Sequence, residues 1–123
     1  MIFLDTCAVI DYLRGNKQVR KLIGSEVVAI SEITVFELYS GSFMLKKKDL
    51  TYVDTFISSS IILSIHSYVD SARINAYLRL KGLQIPETDV LIGSCALQHS
   101  FDSIITRDTK HFERIPGLSI IGY

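Results

Sequence analysis

The sequence predicts an α/β fold, a three-layer α/β/α domain with a central parallel sheet of about five strands. Two observations carry this reading. Short unbroken apolar runs, such as Ile2-Phe3-Leu4 and Val27 to Ile30, read as strands buried on both faces. Between them lie segments whose apolar residues recur at helical spacing, such as Val9, Ile10 and Leu13. No repeat, low-complexity tract or linker interrupts the alternation, so residues 1–123 are expected to form one domain. Right-handed crossovers still leave several strand orders open.

The elements follow in order along the chain. After the first strand, a helix from Thr6 or Cys7 to Arg14 is ended by Gly15 and Asn16. A short helix from Lys17 to Ile23 closes at Gly24, and Val27 to Ile30 form the second strand. Ser31 is a candidate N-cap for a helix from Glu32 to about Phe43. Lys46, Lys47 and Lys48 mark an exposed connection, and Asp49 leads into a helix to about Ser59. Ile61 to Ile65 is the third strand, and a longer helix from about Tyr68 to Lys81 closes at Gly82. Thr88 is expected to cap a helix from Asp89 to about His99. Ser103 to Thr106 is the fourth strand, Lys110 to Phe112 a short turn, and Leu118 to Ile121 the fifth strand.

Composition bounds the function classes. With 48% hydrophobic and 21% charged residues the chain can bury a substantial core, and disorder is disfavoured. A formal net charge of 0 means that nucleic-acid binding must rest on local charge. Two cysteines without paired spacing, Cys7 and Cys95, read as reduced thiols of a cytoplasmic protein, not as a disulfide framework or zinc site. No secretory leader pattern is seen, and no apolar run approaches the ~18 residues a membrane span needs.

The chemistry lies in the acids. Asp5 and Asp108 each follow a buried apolar run by one or two residues. In a parallel sheet both therefore lie at one edge, where open α/β sheets bind ligands. On neighbouring strands, ~4.8 Å apart, the two carboxylates would be close enough to share one metal shell. Asp89 stands at a helix start, and Glu37 sits on a helix face with the small residues Thr34, Ser40 and Gly41. Taken singly, each acid has an ordinary structural explanation. Asp5 can cap a helix, Asp89 can meet the helix dipole, Glu37 can be a solvated helix residue and Asp108 a turn former. Clustered carboxylates need a cation, and hard oxygen ligands without His or Cys favour Mg²⁺ or Mn²⁺ over Zn²⁺. Such a site suits a metal-dependent nuclease or phosphatase.

At these residues the sequence resembles the PIN domain family, specifically the VapC-type toxins of prokaryotic toxin–antitoxin pairs. The resemblance runs through Asp5-Thr6 with Val9-Ile10, then Ser31 to Leu38 with Glu37, and Gly41. It continues through Ile85-Pro86-Glu87-Thr88-Asp89-Val90-Leu91-Ile92 with Ala96, then Ile105-Thr106-Arg107-Asp108, His111-Phe112 and Pro116-Gly117-Leu118. It implies a PIN-like domain and a Mg²⁺- or Mn²⁺-dependent endoribonuclease acting on RNA, with Asp5, Glu37, Asp89 and Asp108 as its acidic quartet. Asp5 and Asp89 are then the principal metal ligands, which with Asp108 gives the expected metal set. Thr106 resembles the family's hydroxyl residue beside the last acid, and Thr6 follows the first. A homodimer and a VapB-type antitoxin are further implications. The mechanism expected is hydrolysis by an activated water, leaving a 5′-phosphate and a 3′-hydroxyl without a covalent intermediate.

Other residues read less sharply. Arg107 and Lys110 lie near the acids in sequence, so a phosphate contact is plausible there. His111 is expected to pack beside Phe112, while His66 and His99 are isolated in sequence. Cys7 lies near a helix start, which lowers thiol pKa values, but no His neighbours it and it reads as a buried small residue. Tyr12, Tyr39 and Phe43 are expected in the core or at a dimer contact. The alternatives are a PIN nuclease of RNA processing or quality control without an antitoxin, and a non-catalytic RNA-binding or assembly module. A phosphoacceptor domain would need an Asp after the third strand, where His66 and Ser67 stand. A haloacid-dehalogenase-type phosphatase would need Asp at position 7, which is Cys7.

Overall fold

A computed structural model describes residues 1–45 and 50–123. Its elements are β1 (Ile2–Phe3), α1 (Thr6–Leu13), α2 (Lys17–Ile23), β2 (Val28–Ser31), α3 (Glu32–Phe43) and α4 (Thr51–Ser58). There follow β3 (Ile61–Leu63), α5 (Tyr68–Leu80), α6 (Glu87–Gln98), β4 (Ser103–Ile105), α7 (Thr109–Phe112) and β5 (Ser119–Ile121). The Lys46 to Lys48 connection and Asp49 lie outside the described residues.

All strand pairs are parallel: β1 with β2, β2 with β3, and β4 with β5. An isolated parallel bridge, Leu4 with Ile105, joins the two groups, and the Asp5 N–H donates to the Ile105 carbonyl at 3.2 Å. The order across the fold is therefore β3-β2-β1-β4-β5. From β1 the chain first builds outward on one side, then crosses to build on the other. The reversal falls between β1 and β4, the position at which open α/β sheets place their ligand crevice.

Strand side chains alternate between two cores, as the two-residue repeat of a strand requires. Phe3, Ala29 and Ile104 pack with residues of α5, α6 and α7, among them Leu78, Ile92 and Phe112. Leu4, Val28, Ile30 and Ile105 pack on the other face with Ala8, Val9, Val19, Leu38 and Phe56 from α1 to α4. These are the three layers that the alternating pattern predicts.

Local chemistry explains the element ends. Asp5 caps α1, Asn16 caps α2, Ser31 caps α3 and Ser67 caps α5, each through a side-chain oxygen accepting a free N–H of the first turn. Gly15 takes φ +87° between α1 and α2, a conformation that disfavours a side chain. One expected cap is corrected: α6 starts at Glu87 with Pro86 at the cap position, so Thr88 lies inside the first turn. Pro86 sets φ at −53°, which pre-organises the entry without a side-chain bond, and Glu87 and Asp89 face the positive helix end. β1, β3, β4 and β5 are one or two residues shorter than expected, while β2 keeps four residues and shifts by one to Val28–Ser31.

Gly93 is where α6 meets the chain end most closely. A Cβ there would stand 2.4 Å from Ile115 Cδ1 and 3.3 Å from Leu118 Cδ2, both in a buried core. Gly93→Ala gains about 1 kcal/mol of helix propensity but overpacks the core by about 1–3 kcal/mol. Its thermal midpoint is therefore expected to fall; a rise would show that Ile115 gives way freely.

Candidate active site at the carboxyl edge of the sheet

Asp5 is the most buried of the predicted acids, with 3% of its surface exposed. Its Oδ1 accepts the Ala8 N–H at 2.9 Å and its Oδ2 accepts the Thr106 hydroxyl at 2.7 Å. The Cys7 thiol lies 3.1 Å from both oxygens. Burial nonetheless dominates these donors, and with the Asp108 charge it pushes the Asp5 carboxyl up to about 6. Thr106, at the end of β4, donates to Asp5 while accepting the Asp108 N–H at 2.9 Å. One hydroxyl thus ties the first and last acids together across the β1–β4 junction.

The other acids arrive from separate helices. Glu37, in the middle of α3, accepts the Thr6 hydroxyl at 2.7 Å, and Thr6 Oγ1 also lies 3.1 Å from Thr34 Oγ1. Burial raises the Glu37 carboxyl, the Thr6 bond opposes this, and the Asp89 charge adds to it. Asp89, in the first turn of α6, is raised by burial, eased by His111 and pushed further by Asp108. Asp108 is exposed and stands at the N-cap of α7. Asp5 feels Asp108, Asp108 acts on Asp89, Asp89 acts on Glu37, and Glu37 is bonded to Thr6 beside Asp5. Of the predicted acids, Asp5 and Asp108 fall in one close cluster with Cys7, while Asp89 and Glu37 are linked to them through charge and through Thr6.

Several residues differ from the sequence reading. The Arg107 guanidinium, expected near a phosphate, is paired with a further acid, Asp11. It bonds both oxygens of Asp11 at 2.9 and 3.0 Å, and the Tyr123 hydroxyl donates to the same carboxylate at 2.6 Å. His111 does more than pack beside Phe112: its Nδ1 lies 2.9 Å from Asp89 Oδ2. Cys7 is half-buried, and desolvation with the Asp5 charge pushes its thiol up to about 11, against the lowering expected at a helix start. Its sulfur also receives the Arg107 backbone N–H at 3.4 Å. His66 and His99, isolated in sequence, meet edge to face with centroids 4.3 Å apart. Tyr12 packs on Phe56, Tyr39 donates to Asp54, and Phe43 is exposed.

The donor set fits a divalent cation. Ligand atoms of Asp5, Cys7 and Asp108 lie within 4.8 Å of one another. Among the described residues no lysine or arginine is ion-paired with Asp5, Glu37, Asp89 or Asp108, and the Arg107 guanidinium is engaged by Asp11. Burial and neighbouring charge make Asp5, Glu37 and Asp89 costly to ionise, which a cation would reverse. Oxygen donors predominate, with Cys7 the one soft atom. No helix among the described residues is long and apolar enough to cross a membrane.

Comparison with known proteins agrees with this geometry. The family model described as PIN domain matches residues 2–118. The chain is similar to Ribonuclease VapC19 of Mycobacterium tuberculosis, with 28% identity covering 96% of this chain and 97% of the relative. It is also similar to the tRNA(fMet)-specific endonuclease VapC of Salmonella typhimurium, with 30% identity over 76% of this chain and 73% of that protein. Among solved structures, the DNA-bound VapBC of Salmonella typhimurium matches with TM-score 0.89 and 27% identity over 99% of this chain and 98% of that one. VapBC2 of Rickettsia felis, bound to a promoter DNA fragment, matches with TM-score 0.88 and 27% identity over 100% and 99% of the two chains. The chain belongs to the PIN domain family, and its likeness to VapC-type members runs along its whole length.

Proposed function

We propose that this chain, as a single PIN domain over residues 1–123, is the toxin of a VapBC-type toxin–antitoxin pair and a metal-dependent endoribonuclease. The observation that supports this best is the convergence of Asp5, Glu37, Asp89 and Asp108 from four separate elements on the switch point of the sheet. Similarity to proteins named ribonuclease and endonuclease supports the activity, and similarity to VapBC complexes supports an antitoxin partner. A homodimer and a cytoplasmic setting belong to the same proposal.

Asp5, Asp89 and Asp108 would hold a Mg²⁺ or Mn²⁺ ion. When bound, such an ion supplies Lewis-acid stabilisation at a phosphodiester and a more acidic water. The chain's own residues do the positioning. Thr106 and the Ala8 N–H hold the Asp5 carboxylate in one orientation, and Thr6 turns the Glu37 carboxylate toward the other acids. Burial brings Glu37 closer to neutral pH, where a carboxylate exchanges protons with water most usefully. Arg107 is given a positioning role through Asp11, one residue before Asp108. Hydrolysis by water leaves a 5′-phosphate and a 3′-hydroxyl.

The test is cleavage of mixed tRNA and rRNA by wild type and Asp5→Asn, each with Mg²⁺, Mn²⁺ or EDTA. Cutting is expected with either metal, is lost in EDTA, and falls about 100-fold or more in Asp5→Asn. Equal cutting by the two proteins would place the activity elsewhere. RNA binding that is unaffected by Asp5→Asn, without cutting, would favour a non-catalytic module.

A stability measurement tests the same site without substrate. Burial pushes the Asp5 carboxyl in the folded chain up to about 6 from an ordinary value of 3.8. Its folded state holds the proton more tightly, so its favourable contribution is full below pH 3.8 and is lost as pH rises through about 6. The loss is on the order of 3 kcal/mol. Metal-free Asp5→Asn is therefore expected to match or exceed wild-type stability at pH 7, with the advantage shrinking toward pH 4. Denaturant melts across that range check the sign; a wild type that gains on Asp5→Asn with rising pH would contradict it.

A further inference from the structure

Asp89 is held differently from its neighbours. Asp5 has three donors, Ala8, Thr106 and Cys7. Among the described residues, the Asp89 side chain has one hydrogen-bond partner, His111 Nδ1 at 2.9 Å. An ionised carboxylate only accepts, so Nδ1 carries the hydrogen. We propose that His111 is a positioning residue that fixes the Asp89 carboxylate for the divalent cation. This role rests on the metal-dependent reading given above.

The packing behind His111 gives it a fixed position. His111 lies on α7, the four-residue helix whose N-cap is Asp108. Phe112, the next residue, is fully buried, and Ile115 is 1% exposed just beyond it. Both seat against Gly93 of α6, four residues and one turn after Asp89 on the same face. The missing Cβ at Gly93 lets the segment approach α6 closely enough for the imidazole to reach Asp89. One short helix thus carries one acid at its start and sets the orientation of another through His111. Without that bond the Asp89 side chain can turn among its staggered rotamers, and a bound ion must supply the ordering instead. Partners of this kind behind metal-binding carboxylates typically change metal affinity by about 10- to 100-fold.

Mn²⁺ affinity of the full chain, read by calorimetry and by the electron-spin resonance of free Mn²⁺, tests the role directly. His111→Ala is expected to weaken Mn²⁺ binding about 10- to 100-fold. His111→Asn can place its amide N–H where Nδ1 stands and is expected to restore most of the affinity. His111→Gln, whose amide falls nearer the position of Nε2, is not. Thermal melts of the three metal-free variants within a few degrees of one another would separate positioning from general loss of structure. Equal Mn²⁺ affinity in wild type and His111→Ala would overturn the positioning role and leave the nuclease reading standing. Equal weakening in Asn and Gln variants would also overturn it, since the donor would then not matter. Absence of Mn²⁺ binding to wild type would overturn the metal-dependent reading itself, and this role with it.

Discussion

Asp5 is a carboxylate buried at the junction of β1 and β4, and most of the architecture meets at it. Its backbone N–H closes the bridge between the two strand groups, its Oδ1 caps α1, and its Oδ2 takes the Thr106 hydroxyl that also receives the Asp108 N–H. Register, helix entry and the placement of the last acid are therefore one connected set of bonds. A residue without a side-chain acceptor at this position would deprive the Ala8 N–H, the Thr106 hydroxyl and the Cys7 thiol of their acceptor, at a cost of about 1–3 kcal/mol for each buried donor left unpaired. The same carboxylate stays hard to ionise because burial outweighs the three donors. A side chain that organises the fold is thereby kept poised toward a cation, the combination expected where stability is traded for chemistry.

α1 carries two buried acids treated in opposite ways, and the contrast separates structure from site. Asp11 faces a guanidinium and a phenol, so its charge is matched within the chain. The match brings the end of β5, the loop after β4 and α1 together through Tyr123, Arg107 and Asp11. The charge on Asp5, six residues earlier on the same helix entry, meets only neutral donors and further carboxylates. The pair is half-exposed on the Arg107 side, and it engages that guanidinium on Asp11 instead of on the predicted acids. What remains at the acidic edge is a negative cluster in which His111 is the one basic side chain bonded to a predicted acid among the described residues.

The fold is legible because its central strands β1, β2 and β4 are largely buried and its helices are punctuated by caps and glycines. The first helices and α3 are found where Gly15, Asn16, Gly24 and Ser31 mark them. The start of α6 was misread because Thr88 is the better cap by side chain, whereas Pro86 starts the helix through its fixed φ. In the site, Asp5 and Asp108 followed from topology alone, since parallel strands must bring both to one edge. Glu37 and Asp89 did not: each has an ordinary helical explanation, and it was the family resemblance that joined them to the set. The bonds of Arg107 to Asp11 and of His111 to Asp89 are not legible in the sequence, because both depend on how α7 and the chain end seat against α6 and α1. Gly93 was the available signal for that close seating, but a glycine in a helix does not reveal which neighbour it admits.

Cys7 shows the sign of the field at this edge. A thiol near a helix start should ionise more easily, because unpaired N–H groups stabilise the thiolate. Here the shift is upward, to about 11, with burial the largest cause and the Asp5 charge the next. The dipole of a helix end is equivalent to roughly half a charge, while Asp5 offers a full one 3.1 Å from the sulfur. The carboxylate therefore wins, and Cys7 acts as a neutral donor to Asp5 instead of a nucleophile. The same comparison applies to any anion approaching the edge. A phosphodiester would meet several carboxylates at short range, none of them ion-paired with a lysine or arginine among the described residues. Under the proposed function, the cation is what changes the sign of that encounter, and the residues that orient its ligands control the chemistry without touching the RNA.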